Sequence, residues 1–318
     1  MKLLLSKPRG FCAGVERAID AVEKALELFD PPIYVKHEIV HNKHVVDALK
    51  EKGAIFIEDL NEVPEGSRLI YSAHGVAPEV RAHARRRRLI EIDATCGLVT
   101  RVHSAVSRYA KQGYKIILIG HRNHVEVIGT AGETPEVTTI VDSVSDVEKL
   151  SYHQDEKLFY ITQTTLSIDD VKDITKALIA KYPQIETLPS ASICYATTNR
   201  QMALRKIVHD TDLVLVVGDP QSSNSNRLSE VAKKRGISSY LIFDERDING
   251  CWLKDVRVIG LTAGASTPEN IVQRCIKRLI DLGVEEVEDV VFTHEDVSFQ
   301  LPKPIIDAMN QKTCTTAL

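Results

Sequence analysis

The chain has 318 residues, 43% hydrophobic and 26% charged, and a formal net charge of −4. That is room for two or three domains of ordinary globular composition, and the slight acidity excludes a global attraction to nucleic acid or to a membrane surface. No apolar run approaches the roughly 18 residues of a membrane span, and MKLLLSKPRGFC lacks both a full secretory h-region and a small-residue cleavage site; a cytoplasmic protein with reduced thiols is expected.

In chain order, GVERAIDAVEKALELF predicts a helix with Val15, Ala18, Ile19, Val22, Ala25, Leu26 and Phe29 on one stripe. HVVDALKEKG predicts a second helix, stopped by Gly53. The basic run Arg85–Arg88 reads as a solvated helix end leading into the strand LIEID. TRVHSAVSRYAKQG, DDVKDITKALIAKY, RQMALRKIVHD, NRLSEVAKKRG and TPENIVQRCIKRLIDLG are further helices, three of them closed by Gly113, Gly236 and Gly283. Between them KIILIG, KLFYIT, DLVLVVGD and VRVIGLT are continuous apolar runs, as strands covered on both faces should be. The fold class is therefore α/β, with parallel-rich sheets and ligand groups at the strand carboxyl ends. After Gly283, VEEVEDVVFTHED and FQLPKP form a non-repeating extension, and MNQKTCTTAL is expected to fray.

Three stretches follow one plan. Cys12, Cys96 and Cys194 each open a helix-compatible run with an arginine at Arg17, Arg101 or Arg200. An apolar strand then delivers His41, His124 or Ser222, which lie 29, 28 and 28 positions after their cysteines. A later strand brings His74, Thr164 or Ser266. The units divide as 1–95, 96–193 and 194–283, with the extension at 284–318. A lone cysteine is usually a small buried hydrophobe, which suits Cys251 and Cys275, while Cys314 lies in a polar tail. Three cysteines at equivalent points of a repeat instead suggest a shared centre.

Three thiolates without an obvious fourth ligand suit a cuboidal iron–sulfur cluster with one iron left open. Zinc held by three cysteines and a histidine is the metal alternative. Around this centre His41, His74, His124, Ser222, Ser223, Asn224 and Ser266 are hydrogen-bond donors. Glu126 is the one carboxylate so placed, with Thr164 as its hydroxyl partner. A donor-rich site suits an anion, and an anion beside histidine favours the imidazolium. The set reads as a pocket for a phosphorylated small molecule.

PRGFCAGVERAI, HEIVHN, SAHGV, DATCGLVT, HVEVIGT, TQTTLS, CYATTNRQ, SSNSNRL and TAGAS together resemble the 4-hydroxy-3-methylbut-2-enyl diphosphate reductase (LytB) family, from about Leu3 to Gly283. The resemblance implies three similar α/β domains in pseudo-threefold arrangement around a central [4Fe–4S] cluster on Cys12, Cys96 and Cys194. It implies diphosphate contacts at His41, His74, His124, Ser222, Ser223, Asn224 and Ser266. It makes Glu126 the proton donor and puts Thr164 beside the substrate hydroxyl. The implied reaction is the two-electron removal of an allylic hydroxyl to give isopentenyl and dimethylallyl diphosphates. The family often has proline where this chain has Gly97 and Val125, so a looser loop is expected at both. No GxGxxG fingerprint is present, so electrons are expected from a reduced ferredoxin or flavodoxin. The competing readings are a non-redox hydro-lyase, in which an open iron only polarises a hydroxyl, and an iron–sulfur sensor.

Overall fold

The computed structural model describes residues 1–188 and 192–316. Its first part runs β1 (Lys2–Lys7), α1 (Ala13–Leu28), β2 (Ile33–Lys36), α2 (Lys43–Glu51), β3 (Ala54–Ile57), β4 (Arg68–Tyr71), α3 (Pro78–Arg86) and β5 (Ile90–Asp93). The middle adds α4 (Gly97–Lys111), β6 (Lys115–Ile119), α5 (Val125–Ala131), β7 (Thr138–Val141), α6 (Val144–Lys149), β8 (Leu158–Thr162) and α7 (Ile168–Lys181). The last part is α8 (Tyr195–Ile207), β9 (Leu213–Val217), α9 (Ser223–Lys233), β10 (Ser238–Ile242), β11 (Val258–Ala263), α10 (Glu269–Asp281), β12 (Glu286–Val291) and α11 (Lys303–Thr316). The four glycine stops read from the sequence all have φ between +77° and +104°. A Cβ would cost about 1–2 kcal/mol there.

The strands form three all-parallel sheets, ordered β3-β2-β4-β5, β7-β6-β8 and β10-β9-β11-β1-β12. Each contains the same trio, with the first strand in the middle, the second on one side and the third on the other. The repeat seen in the sequence is thus a repeat of topology. Its second strands (β3, β7 and β10) lie between the two that the sequence singled out.

β9 shows why the apolar runs are continuous. Leu213, Leu215 and Val217 face a cluster with Ile271, Val272 and Leu279 of α10. Val214 and Val216 face Leu204 of α8 and Leu228 of α9 on the other side. All five are buried, and each such burial is worth roughly 1.5–3 kcal/mol. β12 is the opposite case. Glu286, Val287, Glu288 and Asp289 are exposed, and its surface pairs Lys2–Glu286 and Lys7–Asp289 are worth about 0–1 kcal/mol each. Backbone pairing holds this edge.

The linear units are redrawn at both ends of the chain. β1, assigned by sequence to the unit 1–95, inserts between β11 and β12 of the third sheet. β12, assigned to the extension 284–318, completes that same sheet. KLLLSK supplies residues to both faces, Leu3 and Leu5 to one cluster and Leu4 to the other, so it suits the middle of a sheet. Of MNQKTCTTAL, residues 309–316 continue α11 rather than fraying, and 317–318 lie outside the described residues. Cys275 is core as expected, whereas Cys251 is exposed in a short turn after Asn249. Arg85–Arg88 close α3 and engage Glu91, Glu79, the Val63 carbonyl and Glu65 in turn.

Candidate active site

All three repeat cysteines sit at helix N-caps, Cys12 before α1, Cys96 before α4 and Cys194 before α8. Each amide is pinned to the end of a third strand. Cys12 N–H donates to the Ala265 carbonyl (3.3 Å), Cys96 N–H to that of Ala73 (3.0 Å) and Cys194 N–H to that of Thr164 (3.1 Å). Those acceptors are Thr164 itself and the residues next to Ser266 and His74. The third strands therefore position a thiol and a polar side chain together.

Two of the repeat arginines, Arg17 and Arg200, hold the cysteine loops of other units. Arg17, on the helix that begins at Cys12, donates to the Thr95 and Asp93 carbonyls (2.9 and 3.3 Å), just before Cys96. Arg200, on the helix that begins at Cys194, is 0% exposed. It donates to the carbonyls of Gly10 (2.7 Å) and Phe11 (2.9 Å), just before Cys12, with Glu295 at 3.2 Å as its counter-charge. Gly14 lets α1 approach the second thiol, because a methyl group there would collide with the Cys96 sulfur. Gly97, expected to loosen its loop, is instead the first residue of α4, and the Phe299 ring lies 3.1 Å from where its Cβ would stand. Val125, the other expected loose point, opens α5.

The cysteines line a cavity with about 770 Å³ of open space. The other nine residues singled out from the sequence line it too: His41, His74 and His124, Glu126 and Thr164, then Ser222, Ser223, Asn224 and Ser266. Val15, Val40, Leu98, Val99, Tyr195 and Ala196 supply apolar wall.

A helix N-terminus favours a thiolate, yet burial wins here. It pushes the Cys96 thiol up to about 11 and the Cys194 thiol up to about 12, with the neighbouring cysteines pushing the same way. Buried thiols of this kind ionise when a cation supplies the missing charge, so the donor set fits a metal centre. Among the described residues, the one trio of ligating atoms lying within 4.8 Å of one another is that of His37, His41 and His74.

The histidines are packed ring to ring, with centroids 4.2 Å apart for His41 and His74 and 5.4 Å for His41 and His124. Burial drives His74 well below the usual histidine range and His124 down to about 3, and the neighbouring rings add to it. Burial also lowers His41, against the pull of Glu38. Burial therefore favours the neutral form of all three rings. His124 Nδ1 accepts from the Glu126 N–H at 3.2 Å and caps α5, which a proton on that nitrogen would forbid.

The hydroxyls are not equivalent. Ser222 caps α9 by accepting from Ser225 N–H, Ser223 donates to the Thr165 carbonyl (3.3 Å), and Ser266 donates to the His41 carbonyl (2.9 Å). Asn224 is 3% exposed, and both its amide atoms are buried without a partner. An unsatisfied buried amide costs about 1–3 kcal/mol, so this one calls for a ligand.

Glu126 lies in the first turn of α5, not at a strand end. Its carboxylate accepts from Thr164 N–H (2.6 Å) and from the Thr164 hydroxyl (2.8 Å). Burial raises its pKa, with the Thr164 bonds pulling the other way. Sequence reasoning passed over Thr165 and Thr197, which also line the cavity. The Thr197 N–H and hydroxyl meet the Cys194 sulfur at 3.3 and 3.1 Å. The signal was its place three residues after a cap position.

The chain resembles known proteins over nearly its whole length. A family model described as LytB protein matches residues 3–280. The 4-hydroxy-3-methylbut-2-enyl diphosphate reductase of Protochlamydia amoebophila (strain UWE25) is 75% identical over 308 residues, 97% of this chain and 98% of its own. The reductase of the same name from Chlamydia pneumoniae is 61% identical over 306 residues, 96% of this chain and 98% of its own. Among solved structures, the E-1-hydroxy-2-methyl-but-2-enyl-4-diphosphate reductase from Plasmodium falciparum superposes with a TM-score of 0.96 at 50% identity, covering 98% of this chain and 99% of its own.

Proposed function

The chain belongs to the LytB protein family, and on that premise we propose that it removes the allylic hydroxyl of (E)-4-hydroxy-3-methylbut-2-enyl diphosphate by two-electron reduction. The products are isopentenyl and dimethylallyl diphosphates, at the last step of the non-mevalonate isoprenoid pathway. The observation that carries this reading is one cavity in which three N-cap thiols meet a buried, unpartnered amide and three neutral histidines.

Cys12, Cys96 and Cys194 would hold a [4Fe–4S] cluster. When bound, it supplies electrons and a Lewis acid. The histidines, Ser222, Ser223, Asn224 and Ser266 bind the diphosphate, and the Ser266 hydroxyl also holds the His41 carbonyl. The anion supplies the charge that lets the buried rings take up protons, and Asn224 gains the partners it lacks. Burial favours the protonated form of Glu126, which delivers its proton to the departing hydroxyl oxygen. Thr164 holds both oxygens of that carboxyl and so fixes its direction. Per turnover the C–O bond breaks and two electrons and two protons are consumed; one proton leaves in water and the other ends on product carbon. Reduced ferredoxin or flavodoxin delivers the electrons one at a time, in the cytoplasm. No helix among the described residues is long and apolar enough to cross a membrane.

Anaerobic turnover with a pre-reduced donor is the test. Two equivalents of donor should be oxidised per allylic diphosphate consumed. Loss of water with no donor oxidised would make the protein a hydro-lyase and overturn the reading.

A further inference from the structure

We propose that His37, His41 and His74 form a second metal site, for a divalent transition ion of the zinc type, at the diphosphate end of the cavity and separate from the thiols. One ring nitrogen from each histidine lies within 4.8 Å of the others, and the His37 ring is 5.5 Å from that of His41 and 5.9 Å from that of His74. In each ring Nδ1 is already committed. It faces Glu58 Oε1 at 2.6 Å in His37, Glu38 Oε2 at 3.3 Å in His41 and the Ser72 hydroxyl at 3.2 Å in His74.

The carboxylates on Nδ1 of His37 and His41 keep the proton there, so each neutral ring presents its lone pair at Nε2, and the Ser72 hydroxyl can serve His74 in the same way by accepting from its Nδ1–H. This is the outer-shell arrangement that orients metal-bound histidines. His37 Nε2 is buried with no hydrogen-bond partner. His37 also stands at φ +62°, where glycine would be unstrained. Its ring does not line the cavity, and diphosphate binding as described leaves that nitrogen unused.

Zn–N bonds of about 2.0–2.1 Å set tetrahedral nitrogens about 3.4 Å apart, so ring rotations of roughly 1 Å close the site. Imidazoles favour zinc, copper and nickel over magnesium. A metal on these lone pairs removes His41 and His74 as donors and so competes with the diphosphate. That competition rests on the proposed function; metal binding itself does not.

The experiment uses cluster-loaded enzyme under anaerobic conditions, so that the thiols are occupied, with buffered free Zn²⁺ as the probe. One additional zinc per chain should bind, and its X-ray absorption should show imidazole nitrogen and no sulfur. His37→Gln should weaken zinc binding at least tenfold while diphosphate affinity and turnover stay within about twofold. Zinc should weaken the apparent diphosphate affinity at least tenfold in the unmodified enzyme but not in His37→Gln. The variant also controls for chelation of zinc by the diphosphate, and magnesium should do neither. Equal zinc affinity in the two proteins, or sulfur around the zinc, would overturn the site. Imidazole-bound zinc with unchanged diphosphate affinity would confirm the metal site and overturn the placement of the diphosphate on His41 and His74.

Discussion

The thiol end and the donor end of the cavity are built on one frame and differ in what hangs from it. At the thiol end the units share one backbone plan: each gives an N-cap cysteine whose amide is tied to the end of a third strand. At the donor end they diverge. The corresponding strand ends carry His41 and His74 in the first unit, His124 and Thr164 in the second, and Ser222 and Ser266 in the third. The frame suits a symmetric ligand at one end. Substitution within it suits an asymmetric ligand at the other, with imidazoles concentrated on one side and an acid on the second unit alone.

If the thiols are equivalent, Cys12→Ser, Cys96→Ser and Cys194→Ser should each lose most bound iron and nearly all activity, while Cys251→Ser and Cys275→Ala keep both. Iron and sulfide analysis checks this, and unequal losses among the three would break the symmetry. Arg200→Met should follow, costing about 3–5 kcal/mol in denaturant unfolding, because it strands Glu295 and frees the Cys12 loop. Iron should also leak faster on anaerobic dialysis, an effect that simple destabilisation corrected by lower temperature would not produce.

The donor end should fail in the opposite manner, keeping iron and losing substrate or chemistry. Glu126→Gln retains shape and both Thr164 contacts but carries no transferable proton. Single-turnover kinetics on the reduced variant should show a fall of about 10² or more in kcat with KM little changed. A weakened KM with the chemical step preserved would make Glu126 a support for His124. Asn224→Ala and His74→Ala should each cost roughly 1.5–3 kcal/mol of diphosphate binding, read by titration calorimetry.

The donor end also carries a pH dependence. His124 is held at about 3 against 6.5 for a free ring. Between those values the unfolded chain binds more protons, so stability falls as pH drops through 6.5 toward 3. Denaturant midpoints should show this, and His124→Asn, which keeps a cap acceptor without titrating, should flatten the profile. Binding has the reverse coupling. The anion raises the ring pKa values, so complex formation takes up protons, and affinity should weaken as pH rises through the window between the lowered values of the free rings and the raised values in the complex. Calorimetry in two buffers of different ionisation heat measures that uptake.

Much of this was legible in the chain. Cysteine-to-donor spacing exposed the repeat, apolar runs marked the doubly covered strands, and all twelve chosen residues line one cavity. What stayed hidden is what pairing decides. KLLLSK announces burial, but an apolar pattern says nothing about which strands flank it, so its place beside β11 and β12 was missed. The arginine clamps were visible as part of a repeat, but their acceptors are backbone carbonyls, which leave no mark in a sequence. The neutral histidines were hidden because charge depends on the depth of burial and on neighbouring rings, which the fold alone fixes. His37 was passed over because its strand was read only for the residue at its end.

The central place of β1 has a consequence for biosynthesis. Lys7 reaches its partner Asp289 across 282 positions, an interval of roughly 15–60 s at ribosomal rates of 5–20 residues per second. Until β11 and then β12 have been made, β1 has open edges on both sides, a hazard for pairing with other chains. The Cys12 amide likewise waits for Ala265. The Cys12 thiol is thus set in position only once the strand leading to Ala265 has been made, and if the three thiols hold the proposed cluster, its assembly has to wait for that strand.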